Sequence, residues 1–166
     1  MMRVLFHAAL LGGLLLAAGP ALAQAVAGPP VPAAPAVDYA TAQTAYLDTL
    51  TPAQGWRSTA SGIRYRRVHG NGAGAHPGIA DMVRLRYVVK FTDGRELENS
   101  GDTPVDLPLG RLIRGWQEGV PLMGVGDRYE FAIPAALAYG PNDNGPIRGG
   151  STLLFTIDLV AILPQG

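Results

Sequence analysis

Three features of the sequence predict an α+β fold, a twisted antiparallel β-sheet of about five strands wrapped around one short helix. From Gly62 onward the apolar residues recur with period two in several short runs, the pattern of half-buried antiparallel strands. Segments rich in Gly, Pro, Asn and Asp separate those runs. Within this region Leu109–Val120 alone breaks the period, setting Leu112, Ile113, Trp116 and Val120 at helical spacing among four glycines, Gly110, Gly115, Gly119 and Gly124.

A chain of 166 residues holds one domain with a real core plus an appendage. Arg3 precedes an apolar run from Val4 to Ala18, followed by Gly19-Pro20 and Ala21-Leu22-Ala23. A positive start, an apolar stretch and a small-x-small site make residues 1–23 a secretory signal peptide, with cleavage expected after Ala23. The run is short for a membrane span and Gly19-Pro20 breaks it, so no membrane contact is expected after cleavage. The mature chain is expected in the periplasm, with the extracellular medium as the alternative.

It would carry twelve basic against thirteen acidic side chains. The basic residues are scattered arginines and a single lysine, so nucleic acid is not an expected partner. Cysteine is absent, which excludes disulfides, thiolate catalysis and Cys-based metal sites.

Residues 24–37 contain four prolines and no charge, and read as a semi-rigid tether. Residues 38–61 read as a short helical segment: Asp38 is a candidate cap, Tyr39, Ala42, Tyr46, Leu47 and Leu50 follow at helical spacing, and Thr51-Pro52 ends the pattern. Such a short helix is marginal alone and must dock, on its own domain or on a second copy. A monomer is the expected state.

The domain proper is read as residues 62–166. Ile63–Val68 is a first strand, and Gly70–Gly78 a glycine-rich surface loop without the spacing of a phosphate cradle. Met82–Phe91 shows the cleanest alternation, Val83, Leu85, Tyr87, Val89 and Phe91 against Arg84, Arg86 and Lys90. Thr92-Asp93-Gly94-Arg95 supplies a turn into Glu96-Leu97-Glu98. Val105, Leu107 and Leu109 alternate next, then Asp127–Ile133, and finally Thr152–Ile162.

The residues offer little for acid–base or covalent chemistry. His69 and His76 flank the glycine loop without a spaced third ligand. No Gly-x-Ser-x-Gly elbow occurs, and Glu96 and Glu98 share a strand face as two rim charges would. No metal or cofactor is expected. An apolar aromatic pocket with one or two hydrogen-bonding groups remains, in which Trp116 is either plain core or the floor.

Five segments then occur in one order: Asp93-Gly-Arg95, Leu109-Gly-Arg-Leu-Ile-Arg-Gly-Trp-Gln-Glu-Gly119, Met123-Gly-Val-Gly-Asp-Arg128 with Ile133-Pro134, Leu137-Ala-Tyr-Gly140, and Leu153-Leu-Phe-Thr-Ile-Asp-Leu159. This series resembles the FKBP-type peptidyl-prolyl cis-trans isomerases, of the exported bacterial kind, from about Gly62 to Ile162. The resemblance implies a pocket with Trp116 as floor and Tyr87, Phe155, Ile113 and Leu112 as walls. It implies Tyr139 and the Ile113 N–H as donors to a substrate backbone, and Leu97, Val105 and Ile147 as rim. Proline-containing unfolded or partly folded polypeptides would be the substrates, with capture of such segments without turnover as the alternative function.

The chain departs from the family's Phe-Asp-Ser-Ser at Leu97-Glu98-Asn99-Ser100, lacks an aromatic at Val105, and has Ile147-Arg148-Gly149 for Ile-Pro-Pro. Glu98 stands where the family's Asp organises the pocket. A shallower, more open pocket with reduced turnover and weak affinity for the family's macrolide inhibitors is expected.

Overall fold

The computed structural model describes residues 38–163, so the expected signal peptide and linker lie outside the described residues. Asp38 caps the first helix, α1 (Tyr39–Asp48), by accepting from the Thr41 N–H at 3.0 Å. The hydrogen bonds from Thr41 hold the Asp38 carboxyl below the usual carboxylate range.

Strands follow at β1 (Arg57–Ser58), β2 (Arg64–His69), β3 (Met82–Phe91), β4 (Glu96–Asn99), β5 (Val105–Pro108), β6 (Arg128–Ile133) and β7 (Leu153–Leu163), with helix α2 (Arg114–Gly119) between β5 and β6. All pairings are antiparallel, in the order β1-β2-β6-β7-β3-β4, with β5 also on β3. Among the described residues the sheet has seven strands against about five expected: the two-residue β1 is too short to show a period, and β4 is the short return arm of the expected hairpin.

Strand β3 is central because its alternation lets it bury one face while pairing along both edges. Val83, Leu85, Val89 and Phe91 are buried and Tyr87 is half-buried, whereas Arg84 and Lys90 are exposed. One edge pairs with β7 from Met82↔Leu163 to Phe91↔Leu153. The other is shared, β5 taking Met82–Leu85 and β4 taking Val88–Lys90.

Helix α2 crosses the concave face and closes the core. It approaches closely because its contact positions are glycines: a Cβ on Gly115 would lie 2.4 Å from Ile133 Cγ2, and one on Gly119 2.9 Å from Phe131 Cε1.

The helix is shorter than its sequence pattern. A 3₁₀ turn covers Leu109–Arg111, Leu112 and Ile113 are extended, α2 begins at Arg114, and a second 3₁₀ turn at Val120–Leu122 follows. Leu112 and Ile113 therefore stand before the helix and not on its face. Gln117 stabilises this break, its Nε2 donating to the carbonyls of Gly110 (3.2 Å) and Leu112 (2.8 Å).

Two buried polar side chains anchor the loops. Asp127, only 2% exposed, accepts from the Gly72 N–H (3.0 Å) and the Gly124 N–H (2.9 Å), tying the glycine-rich loop to the turn before β6. Gln43 of α1 donates to Thr92 Oγ1 (3.0 Å), accepts from the Thr152 N–H (3.1 Å), and its carbonyl accepts from Thr152 Oγ1 (3.0 Å). Helix α1 therefore docks on its own chain, at the end of the sheet where Phe91 and Leu153 pair.

Candidate active site

Trp116 lies in the first turns of α2, and its ring packs in the angle between two strands. It meets Tyr87 of β3 edge-on at 5.2 Å between centroids and Phe155 of β7 edge-on at 5.6 Å. Such pairs favour edge-to-face geometry and contribute about 0.5–1.5 kcal/mol each beyond burial. The indole is 5% exposed, and its Nε1–H is the one buried side-chain polar atom without a partner among the described residues.

A cavity of about 300 Å³ opens over this cluster, lined by Tyr87, Val89, Glu98, Leu107, Arg111, Leu112, Ile113, Trp116, Tyr139 and Phe155. Its base is aromatic and aliphatic, and its polar groups sit at the margin. Tyr87 Oη donates to Glu98 Oε1 at 2.6 Å. The tyrosine backbone is fixed as well, its N–H donating to Ser100 Oγ (2.9 Å) and its carbonyl accepting from the Ser100 N–H (3.0 Å). Burial first, and the bond to Glu98 second, push the Tyr87 phenol up to about 12, so it stays a neutral donor over the working pH range.

Tyr139 follows the 3₁₀ turn Ala135–Leu137 and is 40% exposed, with its hydroxyl unengaged by any protein group among the described residues. Its phenol is also pushed up, first by partial burial and then by the Glu98 charge.

The N–H of Ile113 is available for a simple backbone reason. Ile113 is the N-cap of α2 with extended backbone (φ −58°, ψ 149°), and helix-start donors have no partner within the helix. Among the described residues no protein acceptor takes it. The pocket thus combines an apolar floor with two unengaged donors, the Ile113 N–H and the Tyr139 hydroxyl, and no nucleophile–base pair lines it.

The structure brings Tyr87, Glu98, Leu112, Ile113, Trp116, Tyr139 and Phe155 to one cavity. The three expected rim residues do not line it. Ile147 is 6% exposed and packs in the core, because the Asn144↔Ile147 bridge folds its loop inward. Leu97 and Val105 are half-buried against the core. In their place stand Val89, Leu107 and Arg111. The strand alternation marks Val89 and Leu107 as inward-facing without distinguishing pocket from core, and Arg111 carried no signal beyond its place in the Leu109–Val120 stretch.

The sequence model of the FKBP-type peptidyl-prolyl cis-trans isomerases matches residues 74–160, which include every lining residue of the pocket. This chain belongs to the FKBP family.

Among its FKBP relatives, the isomerase FkpA of Aeromonas hydrophila is 40% identical over 119 residues, 70% of this chain and 44% of that protein. The 22 kDa FKBP-type isomerase of Escherichia coli K12 is 38% identical over 121 residues, 71% of this chain and 58% of that protein. The chain thus spans about half the length of these two curated FKBP relatives. Among solved FKBP structures, Escherichia coli FkpA superposes with a TM-score of 0.70 at 30% identity, covering 74% of this chain and 58% of that one.

Proposed function

We propose that the protein is a peptidyl-prolyl cis-trans isomerase acting on proline-containing, unfolded or partly folded polypeptides. The observation that carries this reading is the Trp116 floor between Tyr87 and Phe155, with the free Ile113 N–H and the Tyr139 hydroxyl above it.

Rotation about an X–Pro bond is opposed by about 18–20 kcal/mol of amide resonance and takes tens to hundreds of seconds unaided. In the twisted transition state conjugation is lost and the amide becomes less dipolar. A proline ring seated on the indole places that bond against Tyr87, Phe155 and Leu112, where water is excluded. Such surroundings disfavour the dipolar planar ground state relative to the twisted state. The Ile113 N–H and Tyr139 hydroxyl hold the flanking carbonyls, so rotation occurs about one bond of a fixed chain. A thousandfold acceleration requires about 4 kcal/mol of differential binding. No proton transfer or covalent intermediate enters this scheme.

The signal-peptide features of residues 1–23 support action on exported proteins in the periplasm, and the docking of α1 on its own sheet supports a monomer. The test is refolding of a protein whose slow phase is limited by prolyl isomerisation. The rate of that phase should rise linearly with catalytic amounts of this protein. Suppressed aggregation with an unchanged slow phase would show capture without catalysis.

A further inference from the structure

Arg111 is the only cation lining the pocket, and it makes no hydrogen bond or ion pair among the described residues. Five of the other ten arginines among the described residues, Arg64, Arg66, Arg84, Arg95 and Arg128, are ion-paired to carboxylates away from the pocket.

The backbone that presents Arg111 is fixed on both sides. Gln117 Nε2 bonds the carbonyls of Gly110 and Leu112, the Leu112 N–H donates to the Leu109 carbonyl, and Leu109 is fully buried. Glu98, the pocket's only carboxylate, comes from β4 beside the other half of β3: it pairs with Val89, whereas the strand leading to Arg111 pairs with Met82–Leu85. The carboxylate is already engaged by Tyr87. The pocket lining therefore holds one unpaired guanidinium and one carboxylate already committed to Tyr87.

We infer that Arg111 makes the site selective for prolyl segments carrying an acidic side chain next to the proline. This rests on the isomerase reading and names the substrate subclass of that same pocket. An Asp or Glu beside the seated proline gains a charge-assisted contact with Arg111. A basic residue there is repelled, and an uncharged isostere gains nothing. Exposed pairs of this kind are worth about a two- to fivefold preference, and salt weakens them.

The test measures kcat/KM in a protease-free isomerisation assay on paired peptides, Glu against Gln, placed one residue before the proline in one pair and one residue after it in the other. At low salt at least one pair should favour Glu by about two- to fivefold. The ratio should fall to about one in Arg111→Gln or in molar salt, and below one in Arg111→Glu. Ratios of one in both pairs for the wild type, or a ratio unchanged in Arg111→Gln, overturn the inference. Titration of the same peptides against tryptophan fluorescence reads the preference as a ratio of Kd values. A protein that binds with the charge preference yet turns over no peptide contradicts the isomerase reading and leaves the role of Arg111 standing.

Discussion

Tyr87 is held at both ends by β4 and the residue that follows it, its hydroxyl by Glu98 at 2.6 Å and its backbone by the N–H and Oγ of Ser100. The wall of the pocket that adjoins Trp116 is therefore set by the Leu97-Glu98-Asn99-Ser100 segment. Glu98, one methylene longer than the family's Asp, still reaches the phenol.

The raised Tyr87 pKa gives a pH signature. A tyrosine in the unfolded chain ionises near 10, and this one at about 12 when folded. The folded state thus retains a proton that the unfolded state has lost. The associated stability is fully present below about pH 10 and disappears as pH rises toward 12. Phenolate absorbance should lose its latest-titrating component in Tyr87→Phe, and that component should move down in Glu98→Ala. All tyrosines titrating together near 10 would refute the arrangement.

Glu98→Asp tests the expectation of reduced turnover. Shortening the side chain restores the family's residue beside Tyr87, and kcat/KM for a Leu-Pro peptide is expected to rise. Equal or lower turnover in the Asp variant would mean that the extra methylene does not limit the rate.

Gly115→Ala should separate helix α2 from the sheet. The added Cβ meets Ile133 Cγ2 at 2.4 Å, a contact relieved by displacing the fully buried Ile133 side chain or the helix that carries Trp116. A loss of about 1–3 kcal/mol in urea unfolding is expected, together with reduced kcat/KM. A variant of wild-type stability and turnover would contradict the close packing.

Gln43→Leu tests the docking of α1. It removes the acceptor of the Thr152 N–H and the partner of Thr92, leaving a buried donor unpaired. Stability should fall by about 1–3 kcal/mol. An unchanged urea midpoint would show that α1 does not support the sheet.

Much of this architecture was legible in the sequence, for reasons that also explain what was not. Met82–Phe91 alternates cleanly because one face of β3 is core and the other solvent, so its span and inward residues could be read directly. Trp116 and Phe155 were legible as aromatics in apolar patterns. The Leu112–Ile113 break was not, because it depends on Gln117 reaching back to two carbonyls, which a period of 3.6 does not encode. Ile147 was placed on the rim by resemblance, whereas its own loop bridge turns it into the core. No period or motif marks Gln43 or Asp127 as buried, and only the long-range backbone groups they meet explain their burial.

The central claim is that Trp116 and its two donors accelerate X–Pro rotation. The most direct measurement is protease-free isomerisation of a Leu-Pro peptide by the wild type, Trp116→Leu and Tyr139→Phe. Wild-type catalysis should scale with enzyme concentration, fall by about fivefold in Tyr139→Phe through loss of roughly 1 kcal/mol of hydrogen bonding, and be lost in a folded Trp116→Leu. Isomerisation at the uncatalysed rate with wild-type protein, or undiminished catalysis in Trp116→Leu, would contradict it.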